Sequence, residues 1–251
     1  MGTPDLIRNA PGLRRGSLAR RAARRALEAR AARAKRRIVT RFHRLFYDSS
    51  LQTWSNTRWL GVGAQKCTFD LWVYQEILHE LRPAVIVECG TAEGGSALFL
   101  ASICDLVDHG SIVTIDIAEY TDRPEHPRIT YLNGSSIDPE VFARVEQLVG
   151  DRAPVLVILD SNHERDHVLA ELRLYSALVT PGSYLIVEDS NINGRPILPA
   201  FGPGPAEAIE QFLPETDEFF VDRDREKFFL TFNPGGYLRR RSADRERGSQ
   251  T

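Results

Sequence analysis

Short apolar runs that alternate with helical patterns constrain the fold of this chain more than any other feature. The runs predict strands at residues 84–88, 111–116, 128–132, 154–159 and 183–188, and the helical patterns predict helices at 68–82, 94–107, 139–149 and 164–179. Thr68 is the predicted N-cap of the first of these helices. Residues 218–221 and 227–232 predict an antiparallel pair that closes the sheet. Because apolar strands separated by helices are typical of parallel sheets covered on both faces, the sequence predicts a doubly wound, mostly parallel, seven-stranded α/β sheet.

The N-terminal segment differs from the remainder of the chain in charge. Residues 1–46 contain 14 of the 32 Lys and Arg residues but 2 of the 34 acidic residues, so this arm has a charge near +12 and the remainder a charge near −14. Since Pro and Gly are absent from the arm after Gly16, residues 13–46 are predicted to be helical. We expect three parts, namely a basic helical arm (1–47), an α/β domain (48–240) and a polar tail (241–251).

The role of the basic arm is left open by the sequence. It is a solvated helix that docks on the acidic domain, a helix that contacts anionic membrane lipid, or a contact between subunits of a homo-oligomer. Ile38, Phe42 and Phe46 form an apolar stripe in its last turns that is suited to docking. An acidic domain repels polyanionic nucleic acid, so a nucleic-acid partner is not expected.

The sequence favours a cytoplasmic protein, peripheral to the inner face of the membrane if the arm binds lipid. Apolar stretches fall short of the roughly 18 to 20 residues that a transmembrane helix needs, and the pattern of a signal peptide is absent. Cys67, Cys89 and Cys104 lack the CxxC spacing of zinc sites. We therefore expect reduced, mostly buried thiols.

A glycine-rich turn follows the strand at 84–88. It reads ECGTAEGGS, from Glu88 to Ser96, and lacks the GxGxxG pattern of dinucleotide-binding folds. The pattern ExGxxxGGS resembles motif I of methyltransferases, in which a helix N-terminus faces the carboxylate of S-adenosylmethionine. Asp116 ends the next strand, where a carboxylate binds ribose hydroxyls. The residues predicted to bind this cofactor are Glu88, Gly90, Thr91, Gly94, Gly95, Ser96, Asp116, Ser135, Ser136 and Asp160.

Three carboxylates follow two later strands. Asp160 ends the run VLVILD, and Glu188 and Asp189 end the run YLIVED. Because the carboxyl ends of parallel strands meet at one edge of a sheet, these side chains should converge there. Carboxylate oxygens suit Mg²⁺, so the sequence predicts a hard-cation site at this edge. Asp160 and His163 are the catalytic candidates, with His163 as the general base or, alternatively, as a residue that supports the site or caps a helix.

Other site types fit the sequence less well. His163 and His167 complete an HExxH pattern, but it directly follows a parallel strand and lacks the HExxHxxGxxH extension, so a zinc-protease site is not expected and a structural role is assigned to His167. Oxygen activation would require two histidines and a carboxylate or a haem cysteine, and the 6 histidines form no HxD or HxE pair. A protein that binds the cofactor without catalysis remains an alternative.

Longer stretches of the chain carry a family resemblance. They include TWSNTRWLG, DLWVYQEIL, GTAEGGSALF, DSNHERDHVLAEL and PGSYLIVEDSNINGRP. From residue 41 to about residue 240 the chain resembles the cephalosporin hydroxylase and rhamnosyl O-methyltransferase family, whose members have the class I methyltransferase fold. The resemblance implies a Mg²⁺-dependent O-methyltransferase with Asp160, Glu188 and Asp189 in the metal positions. The implied acceptor is a small molecule that presents a hydroxyl group, namely a sugar or another natural product.

The acceptor site is the part that the resemblance defines least. Trp54 and Trp59 precede the glycine-rich turn and are candidates to cover the acceptor site, although buried packing is expected for at least one of them. The chain departs from the family at Lys66-Cys67-Thr68, where a proline is expected beside the lysine. Acceptor contacts near Cys67 are therefore left open.

Overall fold

The computed structural model of the protein describes residues 11–242, with side chains from Arg20 onward. The chain divides into two compact units, Met1–Phe42 and His43–Thr251. The first ten residues of the predicted arm and residues 243–251 of the predicted tail lie outside the described residues. Across residues 11–242, none of the helices combines the length and apolar character that a membrane crossing requires.

Helices and strands follow one another largely in the predicted order. The helices are α1 (Pro11–Tyr47), α2 (Thr68–Leu81), α3 (Gly95–Leu106), α4 (Pro139–Val149), α5 (Arg165–Tyr175) and α6 (Pro205–Phe212), with short 3₁₀ turns at Leu213–Glu215 and Arg223–Glu226. The strands are β1 (Arg58–Trp59), β2 (Val62–Gly63), β3 (Val85–Cys89), β4 (Ser111–Asp116), β5 (Ile129–Asn133), β6 (Val155–Leu159), β7 (Tyr184–Val187), β8 (Phe219–Val221) and β9 (Tyr237–Arg240). The predicted arm helix is confirmed as α1. From α2 to β7 the helices and strands follow one another in the predicted order, whereas β1, β2 and α6 were not predicted.

Seven strands form one sheet in the order β5-β4-β3-β6-β7-β9-β8. The first five are parallel, whereas β9 runs antiparallel to both β7 and β8. Strands β4 and β5 lie on one side of β3, and β6 and β7 lie on the other. The strand order therefore switches between β3 and β6, and the loops after these two strands flank a crevice at the carboxyl edge of the sheet. The predicted doubly wound, mostly parallel fold is confirmed.

The strand that closes the sheet was predicted in the wrong place. Residues 227–232 do not form it, and β8 pairs instead with β9. The apolar pattern of the segment has another cause, because Leu230 and Phe232 are buried in a cluster with Cys67. The backbone N–H of Phe232 donates to Asp70 Oδ2 at 2.8 Å. This carboxylate thus satisfies an N–H group that, in a strand, would donate to a carbonyl oxygen of the neighbouring strand.

The start of α2 also differs from the prediction. Cys67, rather than Thr68, is the N-cap residue, and its side chain makes no capping bond. The carbonyl oxygen of Cys67 accepts hydrogen bonds from the backbone N–H groups of Asp70 and Leu71 instead. Thr68 is therefore the first residue within the helix.

The central strands β3, β6 and β7 are buried along their whole length, which explains their continuous apolar runs. Val85 and Val87 lie in a core cluster with residues of α4, α5 and α6, whereas Ile86 belongs to a second cluster with residues of α2 and α3. Burial of each such side chain stabilises the fold by about 1.5–3 kcal/mol. Cys67, Cys89 and Cys104 are free and buried, as expected.

Candidate active site

A cavity of about 860 Å³ opens at the carboxyl edge of the parallel strands. It is lined by the loops after β3, β4, β5, β6 and β7 and by the segment after α1. The lining residues that are discussed below are Tyr47, Trp54, Gly90, Thr91, Ala92, Ser96, Asp116, Ser135, Ser136, Asp160, Ser161, His163, His167 and Asp189. The convergence predicted from the strand ends is therefore present in the fold.

The glycine-rich turn passes close to the loop after β6. Gly90 has φ +102°, and a Cβ atom there would overlap the backbone carbonyl of Asp160. Gly95 begins α3 and packs against the carbonyl of Gly63 with equally little room for a Cβ. Two of the glycines thus allow backbone contacts that bring the N-terminus of α3 to the cavity.

Asp116 braces the glycine-rich turn. Its Oδ2 accepts hydrogen bonds from the backbone N–H groups of Thr91 at 2.9 Å and Ala92 at 2.7 Å. Its Oδ1 accepts from the N–H of Ala118 at 2.8 Å. Asp116 also lines the cavity. The carboxylate that is predicted to bind ribose therefore also stabilises the conformation of the turn.

The predicted cofactor residues divide into two groups. The ones on the cavity wall are Gly90, Thr91, Ser96, Asp116, Ser135, Ser136 and Asp160. The others, Glu88, Gly94 and Gly95, do not line the cavity.

Glu88 is fully buried and accepts a hydrogen bond from Thr114 Oγ1 at 2.7 Å, while its Oε1 has no hydrogen-bond partner among residues 11–242. Burial raises the pKa of Glu88, against the opposing charge of Lys66.

Two of the three predicted metal ligands meet in the cavity together with His163. One ligand atom from each of Asp160, His163 and Asp189 lies within 4.8 Å of the others. The His163 Nε2 is 2.8 Å from Asp189 Oδ2. The two carboxylates are the donor type that suits a divalent cation, and the His163 imidazole lies beside them.

Lys66 is a site residue that the sequence did not reveal. It is 3% exposed, and its Nζ donates to Asp160 Oδ2 and, at 2.6 Å, to Glu188 Oε1. Glu188, the third predicted metal ligand, is therefore turned toward Lys66 rather than toward Asp189. One signal was available, since Lys66 is one of 3 lysines among 32 basic residues.

The charged groups around Lys66 shift one another's pKa values. Burial would lower the pKa of Lys66, but the carboxylates of Asp160 and Glu188 outweigh it and raise the pKa, so the lysine is charged. Burial and the nearby charge of Asp160 raise the pKa of Glu188, against the opposing effect of the Lys66 charge. Two carboxylates that share one ammonium away from water resist simultaneous ionisation.

His163 is held by Asp189 and precedes α5, which begins at Arg165. Burial lowers the pKa of His163, but the hydrogen bond and charge of Asp189 have the larger combined effect and raise the pKa to about 9. His167 lies inside α5 and contacts Ser136 Oγ at 3.2 Å and Ser161 Oγ at 3.3 Å. Because the two histidines have different partners and do not share a helical turn, the HExxH pattern does not build a zinc site here.

The two candidate tryptophans occupy different environments. Trp59 packs edge-on against Phe99 and donates its Nε1–H to Ser102 Oγ at 3.0 Å, so its role is packing. Trp54 lines the cavity and stacks on Tyr47, with ring centroids 5.2 Å apart. Tyr47, the last residue of α1, was missed because its position beside the cavity depends on the packing of the whole segment.

Comparisons with known proteins point to one family. A family model described as rhamnosyl O-methyltransferase/CmcI matches residues 51–241. A rhamnosyl O-methyltransferase from Mycobacterium bovis is 38% identical over 208 residues, which cover 80% of this chain and 84% of the relative. One from Mycobacterium leprae is 37% identical over 211 residues, covering 81% and 91%.

Solved structures agree with these relatives at the level of the fold. A structure named cmcI-D160 Mg-SAM superposes with a TM-score of 0.59 at 23% identity, covering 75% of this chain and 78% of the other. The CmcI-N160 apo-structure gives a TM-score of 0.58 at 24% identity with the same coverage. Similarity at this identity shows that the chain shares the methyltransferase fold.

Proposed function

This chain belongs to the rhamnosyl O-methyltransferase/CmcI family, and we propose that it transfers the methyl group of S-adenosylmethionine to a hydroxyl group. The acceptor is a sugar or a sugar-bearing natural product, and the reaction requires a divalent cation such as Mg²⁺. The observation that carries the proposal is the arrangement of Asp160, His163 and Asp189 beside the glycine-rich turn in one cavity. Cofactor and acceptor would thus meet where the carboxylates lie.

The two cofactors would supply complementary chemistry. S-adenosylmethionine carries the reactive sulfonium methyl group, and a bound divalent cation lowers the pKa of a hydroxyl group that it polarises. Asp160 and Asp189 would hold the cation, with Glu188 as a third ligand once its contact with Lys66 is released. The amide groups at the start of α3 would face the carboxylate of S-adenosylmethionine.

The protein's own residues would position the reactants and move the proton. His163 is suited to take the proton of the acceptor hydroxyl, because Asp189 orients its ring through the 2.8 Å contact to Nε2. The stacked rings of Tyr47 and Trp54 offer an apolar surface for the face of a sugar ring. The names of the mycobacterial relatives support a rhamnosyl group as the acceptor.

Incubation of the protein with S-adenosylmethionine, Mg²⁺ and a rhamnosyl glycoside should yield S-adenosylhomocysteine and a glycoside heavier by one methylene unit in mass spectra. Positioning of two bound reactants provides much of the expected acceleration. Binding of S-adenosylmethionine without transfer to any sugar acceptor would favour the catalytically silent alternative. Lack of binding in calorimetry would contradict the proposed function altogether.

We propose a peripheral membrane contact for the basic arm. The described part of the first unit is a single helix, with arginines in most of its turns from Arg20 to Arg37. Each basic residue near an anionic surface adds about 1 kcal/mol of attraction. The intact protein should therefore sediment with anionic liposomes at low salt and be released as salt rises, because the Debye length shortens. A protein that lacks residues 1–37 should stay in solution, and equal sedimentation of both forms would contradict the proposal.

A further inference from the structure

Lys66 has no role in the proton transfer or the cofactor binding described above, although it contacts Asp160 and Glu188 of the same site. Of the three lysines, Lys35 and Lys227 are exposed and Lys66 is buried. A buried ammonium group is costly unless carboxylates compensate its charge. Asp160 and Glu188 provide this compensation through their contacts with the Nζ.

The same carboxylates belong to the proposed metal site. Asp160 is shared, since it contacts Lys66 and is also one of the three residues whose ligand atoms lie within 4.8 Å. Glu188 contacts Lys66 and directly precedes Asp189. An ammonium and a divalent ion that draw on the same carboxylates repel each other strongly where burial lowers the dielectric, as it does around Lys66 and Glu188.

We propose that Lys66 competes with the divalent ion for Asp160 and Glu188 and thereby weakens the binding of the ion. The inference rests on the metal site of the proposed function. Lys66 supplies the positive charge that these carboxylates require inside the protein, so the folded site does not depend on the ion. The ion must then displace the ammonium from Asp160 and Glu188, or bind against its charge.

Replacement of Lys66 by Met tests the competition directly, because Met retains most of the side-chain length and removes the charge. Calorimetric titration with Mn²⁺, in the absence of acceptor, should show binding tighter by roughly 10- to 100-fold, the range over which groups around the ligands tune metal affinity. The double variant Lys66→Met/Glu188→Gln should lose most of this gain, because Glu188 is one of the two carboxylates that the substitution releases.

Lys227→Met is the matched control. Lys227 is 45% exposed and pairs with Glu76 on the surface, so its replacement should leave the affinity for Mn²⁺ unchanged. Unchanged or weaker binding by Lys66→Met, with a normal site in the wild-type protein, would overturn the inference and leave the proposed function intact. If neither protein binds Mn²⁺, both proposals fail.

Folding of the Lys66→Met variant provides a second measurement. Removal of the ammonium leaves the buried Glu188 and the partly buried Asp160 without their partner, which destabilises the fold. The proposal predicts that Mn²⁺ raises the Tm of Lys66→Met more than the Tm of the wild-type protein, and restores its circular dichroism spectrum if the variant is unfolded without metal. A variant that stays unfolded at millimolar Mn²⁺ would contradict the proposal.

Discussion

Replacement of Asp160 by Asn should lower kcat for methyl transfer by roughly 10²- to 10⁴-fold, since metal polarisation of the acceptor contributes several kcal/mol to such reactions. Asn keeps the shape of the side chain but lacks the charge that would hold the ion. The fold should tolerate the change, because Lys66 keeps Glu188 as its partner at 2.6 Å. The Kd for S-adenosylmethionine should stay within a few-fold of the wild-type value.

Steady-state kinetics and calorimetry on Asp160→Asn separate these two effects. Asp108→Asn is the control, since Asp108 lies on the surface and its side chain is 99% exposed. It should leave both kcat and the Kd unchanged. A value of kcat for Asp160→Asn close to that of the wild-type protein would exclude Asp160 from the catalytic machinery.

Replacement of His163 by Gln is expected to lower kcat by about 10²- to 10⁴-fold, the usual contribution of a general base. The wild-type rate should rise with pH, because a base acts in its deprotonated form and Asp189 raises the pKa of His163 to about 9. A bound divalent cation lowers this pKa, so the midpoint of the rise should lie at or below about pH 9. In the variant the residual rate should lose this rise.

His126→Gln is a matched control for the histidine substitution. The His126 Nε2 lies 3.1 Å from Asp105 Oδ2, so it is also a histidine paired with a carboxylate, but it lies outside the cavity. Its loss should leave the pH profile unchanged. If His163→Gln retains the wild-type profile, His163 is a supporting residue and another group takes the proton.

The parallel part of the fold could be predicted because its signals are local. Each strand from β3 to β7 is a short apolar run, and Asp116, Asp160 and Glu188 stand at or directly after the strand ends. The position of a strand end determines which edge of the sheet its side chains reach. The prediction of the closing strand was wrong because its signal is not local. The apolar run at 227–232 is buried by contacts with residues that are remote in sequence.

The charge balance of the site could not be predicted from spacing. Lys66 is 94 positions from Asp160 and 122 from Glu188, and the segment before α2 gives no pattern that would direct its side chain to either. The double use of Asp116, which braces the glycine-rich turn, was missed for the same reason. Local patterns predicted which residues gather at the cavity, whereas their mutual contacts depend on the packing of distant segments.

The measurement that tests the central claim most directly is the rate of methyl transfer from labelled S-adenosylmethionine to a rhamnosyl glycoside after dialysis against EDTA. We predict that dialysis abolishes transfer, and that added Mg²⁺ restores it in the wild-type protein but not in Asp160→Asn. The rate should be unchanged by Mg²⁺ if the carboxylates serve only to hold Lys66 and His163. Full transfer by the dialysed protein without added metal would contradict the account.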